Sequence, residues 1–188
     1  MDKLLVRPAR AHLASYQAAL ERGWSPDNVG GRKTALAQLE RISQDADAFL
    51  ESLDDREAKG GPITLPDGTQ FARLPGFVRW MWDGDFKGSI GFRWQPGTAA
   101  LPPHILGHTG YSVVPWAYGR GYATRALAEI LQAARAEGLP GIEITTTPDN
   151  LASQRVIEKN GGVLVETFEK LAAYGGGEAL RYRVDLTR

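Results

Sequence analysis

The sequence predicts a single α/β (α+β) domain spanning residues 1–188. Three observations carry this. Residues 110–147 run as strand, glycine loop, amphipathic helix and β-branched strand. Two helical patterns precede that unit, and paired strand patterns flank it on both sides.

Taken in order, Lys3 to Arg7 reads as a first strand stopped by Pro8. Residues 9–22 are helical, with Leu13, Tyr16, Gln17 and Leu20 on one side. The segment Arg22-Gly-Trp24-Ser-Pro26-Asp27-Asn28 breaks that helix. A second helix is expected over about 33–53, carrying Leu36, Leu39, Ile42, Phe49 and Leu53. Residues 54–76 are polar and turn-rich, and Pro66-Asp67-Gly68 marks a small hairpin. Val78 to Trp82 and Ser89 to Trp94 are strands joined by Asp83-Gly84-Asp85, with Trp80, Trp82, Phe92 and Trp94 assigned to the core. Residues 95–106 form a proline-rich loop. A strand from Gly110 to Val114 leads to Gly119 and Gly121. The following helix carries Ala123, Ala126, Leu127, Ile130, Leu131 and Ala134 on its apolar face and stops at Gly138. Ile142 to Thr147 is the next strand, followed by a short helix from Leu151 to Asn160. Val163 to Phe168 and Leu180 to Leu186 complete the set, the latter alternating apolar and polar residues.

The junction at 118–124 is the most informative stretch. Glycines there let backbone N–H groups crowd around an anion, and a helix N-terminus adds its positive dipole end. That chemistry suits a pyrophosphate. A Walker loop is excluded, because no Lys-Ser or Lys-Thr pair follows the last glycine. A dinucleotide fold matches only in part. Thr124 stands at the third glycine position, Glu143 falls near the start of its strand, and no second βαβ half is visible.

Composition narrows the classes further. Lysine plus arginine and aspartate plus glutamate number 22 each, which argues against a nucleic-acid binder relying on bulk charge. There is no cysteine, hence no disulfide, thiol nucleophile or thiolate metal site, and no metal is expected. No stretch is long and apolar enough to span a membrane and none resembles a signal peptide, so a cytoplasmic location is expected.

Tyr118-Gly119-Arg120-Gly121-Tyr122-Ala123 resembles the acetyl-CoA pyrophosphate loop of the GNAT superfamily of N-acetyltransferases, whose pattern is Gln/Arg-x-x-Gly-x-Gly/Ala. Asn150-Leu-Ala-Ser153 with Glu158-Lys159-Asn160-Gly161-Gly162 is similar to that family's Asn-x-x-Ser…Glu-Lys-x-Gly-Phe segment. The match covers about residues 78–185 and is nearest the branch of ribosomal-protein N-terminal acetyltransferases and their relatives. It implies a central mixed, mostly antiparallel sheet with a splayed strand pair and flanking helices. Residues 8–76 would then form the acceptor side and 78–185 the acetyl-CoA-binding core. Three positions depart from the pattern. Tyr118 replaces Gln or Arg, Gly162 replaces an aromatic residue, and Ile157 stands where many relatives carry a tyrosine general acid.

The resemblance implies acetyl transfer from acetyl-CoA to a primary amine of a small molecule or peptide, with CoA as product. The absent cysteine favours direct attack in a ternary complex. Expected cofactor contacts are Val113, Val114, Tyr118, Gly119, Arg120, Gly121, Tyr122, Ala123, Thr124, Asn150 and Ser153. A backbone N–H near Val113 would polarise the thioester carbonyl, and Pro115 would end the ladder. Catalytic candidates are Ser153, Asn150 and His108. Ser153 would protonate the leaving thiolate directly or through water. Asn150 reads equally as a helix N-cap, and His108 as either a general base or a structural residue. Glu143 is a weaker base candidate. Trp24, Asp27 and Tyr111 are the acceptor-binding candidates, and Trp116 is placed to cover the cofactor. Two rival classes remain: a non-catalytic acyl-CoA-binding regulator and, more distantly, a nicotinamide-dependent oxidoreductase. The chain is expected to act without nucleic acid or membrane, as a monomer or homodimer.

Overall fold

A computed structural model describes residues 3–27, 30–64 and 68–187. The chain begins with β1 (Leu5–Val6), α1 (Arg10–Glu21), α2 (Gly31–Gln44) and α3 (Ala46–Glu51). Three short strands follow: β2 (Asp54–Asp55), β3 (Ile63–Thr64) and β4 (Gln70–Phe71). The long hairpin is β5 (Gly76–Trp82) and β6 (Phe86–Arg93). Then come β7 (Thr109–Val113), α4 (Tyr122–Ala136), β8 (Gly141–Thr146), α5 (Leu151–Lys159), β9 (Gly162–Glu169) and β10 (Glu178–Asp185).

The strands form two larger antiparallel sheets and the small β3–β4 hairpin. One has the order β1-β5-β6-β7, with β2 also on β5; the other has the order β8-β10-β9. Helices α1 and α4 pack on the first sheet. Tyr16 of α1 stacks on Trp80 of β5 with ring centroids 4.3 Å apart, and Trp24 and Phe86 meet Tyr16 edge-on. This aromatic cluster confirms the core assignment of Trp80. Phe92 and Trp94 are also buried and stack at 5.3 Å. The apolar face of α4 is buried through Ala126, Leu127, Ile130, Leu131 and Ala134.

The expected helix over 33–53 is two helices. Asp45 takes an extended conformation, and its carboxylate accepts from the N–H groups of Asp47 and Ala48. An aspartate side chain that competes for backbone donors favours a cap over a helix interior. Strand β2 carries no alternating apolar pattern and was not legible. The hairpin expected around 54–76 exists as β3–β4; its predicted turn residues Pro66 and Asp67 lie outside the described residues, as does Asn28.

One buried bridge ties α4 to the first sheet. The Glu129 carboxylate accepts from the N–H of Leu4 at 2.7 Å and of Leu5 at 3.1 Å. Charge-assisted bonds of this kind contribute about 1.5–3 kcal/mol. Glu129→Ala is therefore expected to lower unfolding free energy by about 1.5–3 kcal/mol in urea titration; an unchanged midpoint would mean that water replaces the carboxylate at no cost.

Candidate active site

The site begins where the two sheets meet. The N–H of His108 donates to the carbonyl of Glu143 at 2.8 Å, and the N–H of Glu143 donates to His108 Nδ1 at 2.9 Å. Gly107 makes the approach possible, since a Cβ there would lie 3.0 Å from the Glu143 carbonyl oxygen. Beyond this seam no ladder joins β7 to β8 among the described residues. The strand pair is splayed.

The splay leaves one edge of β7 open. Val114 donates to Lys87 O at 2.9 Å, on the β6 side. Ladder bonds alternate along an antiparallel strand, so the N–H and C=O of Tyr111 and Val113 point away from β6 and into the gap.

Immediately downstream, a 3₁₀ turn at Pro115–Ala117 leads to the glycine loop. Gly119 has φ of 73° and Gly121 has φ of 79°, a left-handed conformation that side chains disfavour. Gly121 is the N-cap of α4 and offers no side-chain cap. Among the described residues, none of the N–H groups of 119–124 donates to a protein acceptor. The first turn of α4 is held in place from outside, because the Tyr122 hydroxyl donates to Asp83 Oδ2 at 2.7 Å. The result is a fixed, exposed set of donors at a positive helix end, which is what an oxyanion needs. Tyr118 is 65% exposed. Arg120 is exposed too, its guanidinium 5.4 Å from the Tyr122 ring centroid.

Helix α5 closes the far side of the gap. The Asn150 side chain caps it by accepting from the N–H of Ser153 at 3.0 Å. The Ser153 hydroxyl lies 2.8 Å from the Tyr111 hydroxyl. Tyr111 and Ser153 are thus brought together across the splay. Burial pushes the Tyr111 hydroxyl up to about 12, although the bond to Ser153 works the other way.

The other candidates are placed differently. His108 is 0% exposed, and burial holds its imidazole below the usual value. Its Nδ1 already accepts the Glu143 N–H, so it serves the seam and presents no accessible nitrogen to an acceptor. Glu143 is ion-paired with Arg181 and Arg183 at 2.9 Å each. Burial pushes its carboxyl up, but the arginine hydrogen bonds outweigh this and leave it lowered. Trp24, which the sequence offers either as an acceptor contact or as a residue packing the first two helices together, is 4% exposed; its indole N–H donates to Ser112 Oγ at 3.0 Å. Asp27 accepts from the N–H of Gly30 at 2.9 Å and from the Thr34 hydroxyl at 3.0 Å, so it organises the start of α2. Trp116 is 38% exposed and stacks under the Arg22 guanidinium at 3.6 Å. Among the described residues, no cluster of three or more His, Asp or Glu is placed to hold a metal, and no helix is long and apolar enough to cross a membrane.

The family profile of the acetyltransferase (GNAT) domain matches residues 35–163. The chain belongs to the GNAT acetyltransferase family. Solved structures agree on the fold. The microcin C7 self-immunity acetyltransferase MccE, in complex with acetyl-CoA and AMP, superposes with a TM-score of 0.63 at 14% identity, covering 96% of this chain and 91% of that one. RimJ from Mycobacterium smegmatis, in complex with CoA-disulfide, gives 0.63 at 18% identity over 96% and 80%. RimL, a ribosomal alpha-N-protein acetyltransferase, gives 0.56 at 13% identity over 96% and 88%. No curated protein matches the chain. This GNAT protein is an acyl-CoA-dependent acetyltransferase that takes its acetyl group from acetyl-CoA and leaves CoA. The dinucleotide alternative is thereby set aside.

Two of the three departures from the family pattern explain each other. Ile157 is fully buried in the core. A Cβ at Gly162 would sit 2.3 Å from Ile157 Cγ2 and 2.9 Å from its carbonyl oxygen. The isoleucine and the glycine therefore pack against each other, and a side chain at 162 has no room beside Ile157. Sequence reading missed the role of Tyr111 as the hydroxyl nearest Ser153. The available signal was its place on the strand just before the phosphate loop.

Gly121→Glu is expected to put an anion among the loop donors and to abolish CoA binding in calorimetry while circular dichroism stays native. Unchanged affinity in the folded variant would place the CoA pyrophosphate elsewhere.

Proposed function

We propose that this protein acetylates a primary amine by direct attack on acetyl-CoA in a ternary complex. The observation that carries this reading is the hydroxyl pair of Tyr111 and Ser153, held 2.8 Å apart beside the open edge of β7. The unpartnered N–H groups of 119–124 fit a pyrophosphate. The free backbone groups of Tyr111 and Val113 fit an extended amide-bearing arm, which pairs there as a strand would. Val114, Tyr118 and Asn150 border the same path.

Acetyl-CoA, when bound, supplies an activated thioester. In this reading the N–H of Val113 donates to the thioester carbonyl and stabilises the oxyanion. The amine lone pair attacks the carbonyl carbon, the C–N bond forms, and the C–S bond breaks. Ser153 gives the thiolate a proton or a hydrogen bond, Tyr111 reprotonates Ser153, and Tyr111 regains a proton from water, which receives the one the amine sheds. His108 presents no accessible nitrogen to take the amine proton, so in this reading the amine enters neutral and its proton leaves to water. A thiolate is a fairly good leaving group, so this modest acid is sufficient.

Ser153→Ala is expected to lower kcat by about ten- to a hundredfold with little change in CoA affinity. Tyr111→Phe should lower kcat less, because Ser153 keeps its own proton. Full kcat in Ser153→Ala, when chemistry limits the rate, would make ordered water the proton source. Thiol release across a panel of amines and peptides tests the activity itself; no acetylated product from any member would overturn it.

The pH profile supplies a separate check. Tyr111 titrates at a raised value of about 12, so it stays a protonated donor through neutral and moderately alkaline pH. The rate should rise as the acceptor amine loses its proton and then hold level while the fold persists. A falling alkaline limb that vanishes in Tyr111→Phe would contradict this assignment.

A further inference from the structure

The face of the first sheet that looks toward α1 carries a gap in its side chains. Cross-strand partners share a face. Trp80, Ser89 and Ser112 form one row, and Tyr16 of α1 stacks on its Trp80. The next row is Val78, Gly91 and Gly110. Two of its three members have no side chain. Gly110 is exposed in the middle of its strand, and a Cβ there would meet nothing within 4 Å. At Gly91 the nearest atom would be 3.9 Å away. The glycine pair is therefore the floor of an open trough. Ser112 walls one end, held by Trp24 and by its own bond to the Ser25 carbonyl at 3.0 Å.

Arg93 belongs to the row beyond the glycines, paired with Gly76. Its side chain is partly accessible, yet the surrounding protein pushes its guanidinium below the ordinary arginine value. Arg10, Arg79 and Arg181 each hold a carboxylate. Arg93 holds none among the described residues; the only group noted as favouring its charge is Tyr174, whose hydroxyl donates to the His104 carbonyl at 2.6 Å. A partly buried guanidinium with no carboxylate beside it is stabilised by an anionic partner. Its planar fork suits carboxylate and phosphate oxygens.

We infer that the trough over Gly91 and Gly110 is the acceptor pocket, and that Arg93 anchors an oxyanion at the far end of the acceptor amine. This rests on the amine acetylation proposed above. Val113 lies three residues from Gly110 along β7, about 10 Å at strand spacing. Arg93 lies on the opposite side of the glycine floor. The acceptor is therefore an extended molecule with an amine at one end and a carboxylate or phosphate at the other.

The test uses product mimics, so that it does not depend on turnover. Straight-chain ω-(acetylamino)carboxylates of increasing length, the matching acetylamino alkyl phosphates and the matching uncharged primary amides are titrated into the CoA-bound protein by calorimetry. Longer anionic members should bind about ten- to a hundredfold more tightly than the amides, and Arg93→Met should remove that preference. Whichever anionic series binds more tightly identifies the oxyanion. Arg93→Lys should restore part of it, and CoA affinity should not change in either variant. Gly110→Leu, whose Cβ would meet nothing within 4 Å, should block all members while CoA still binds. Equal binding of anions and amides, no binding by any series, or an unchanged preference in folded Arg93→Met would overturn the inference. Thiol release with the parent free amines is measured in parallel. Anion binding without release would fault the proposed acetylation and leave the pocket standing, whereas release without an anion preference would do the reverse.

Discussion

Two hydrogen bonds between His108 and Glu143 hold the sheets together, and the rest of the site depends on where they stop. A continuous ladder from β7 to β8 would consume the backbone groups of Tyr111 and Val113. A wider separation would leave α5 too far for Ser153 to reach Tyr111. Gly107 sets the closest approach, because its missing Cβ lets the chains touch at that point alone. His108 then turns its ring into the seam and accepts a backbone N–H that would otherwise be buried without a partner. A strand histidine that looks catalytic by residue type is here part of the frame.

Around that seam, the functional groups are fixed by contacts from distant parts of the chain. The glycine loop alone would be mobile, but Tyr122 is tied to Asp83 in the β5–β6 turn and Glu129 is tied to the N-terminal strand. Two polar anchors on one helix hold its N-terminus toward the loop donors while its apolar face is buried. Asn150 does for α5 what no side chain does for α4. Its carboxamide caps α5, whereas the start of α4 is left uncapped and able to accept an anion. Capping and catalytic placement are compatible at Asn150, because the bond that caps the helix is the one that orients Ser153.

The departures from the family pattern are local solutions to packing. Ile157 packs directly over Gly162, so the contact that keeps 162 a glycine also fills the position of the family's tyrosine with an apolar side chain. The hydroxyl pair beside the open edge of β7 lies on the strand side, where Tyr111 meets Ser153. Burial raises the Tyr111 hydroxyl, which keeps it a donor and not a base. Trp24 shows the opposite traffic. Residue type leaves a tryptophan between Arg22 and Asp27 free to be a surface platform or a packing residue, and its indole lies in the aromatic cluster with Tyr16 and Phe86 and reaches the sheet through Ser112.

The sequence by itself determined the local elements and the glycine loop. Glycines at 119 and 121 between a β-branched strand and a periodic helix dictate left-handed turns and exposed amides, whatever the rest of the chain does. Periodicity located α1, α4, β5, β8 and β10 to within a few residues, because each buries one face. It ran two helices together at Asp45, where a side-chain cap outweighed the apolar spacing. Only the tertiary structure decided which polar residues share a space. The pairing of Tyr111 with Ser153, the burial of His108 and Trp24, and the exposure of Gly110 depend on how two sheets diverge and which helices cover them. Divergence is a relation between segments more than 30 residues apart, set by one seam, and no local pattern encodes it.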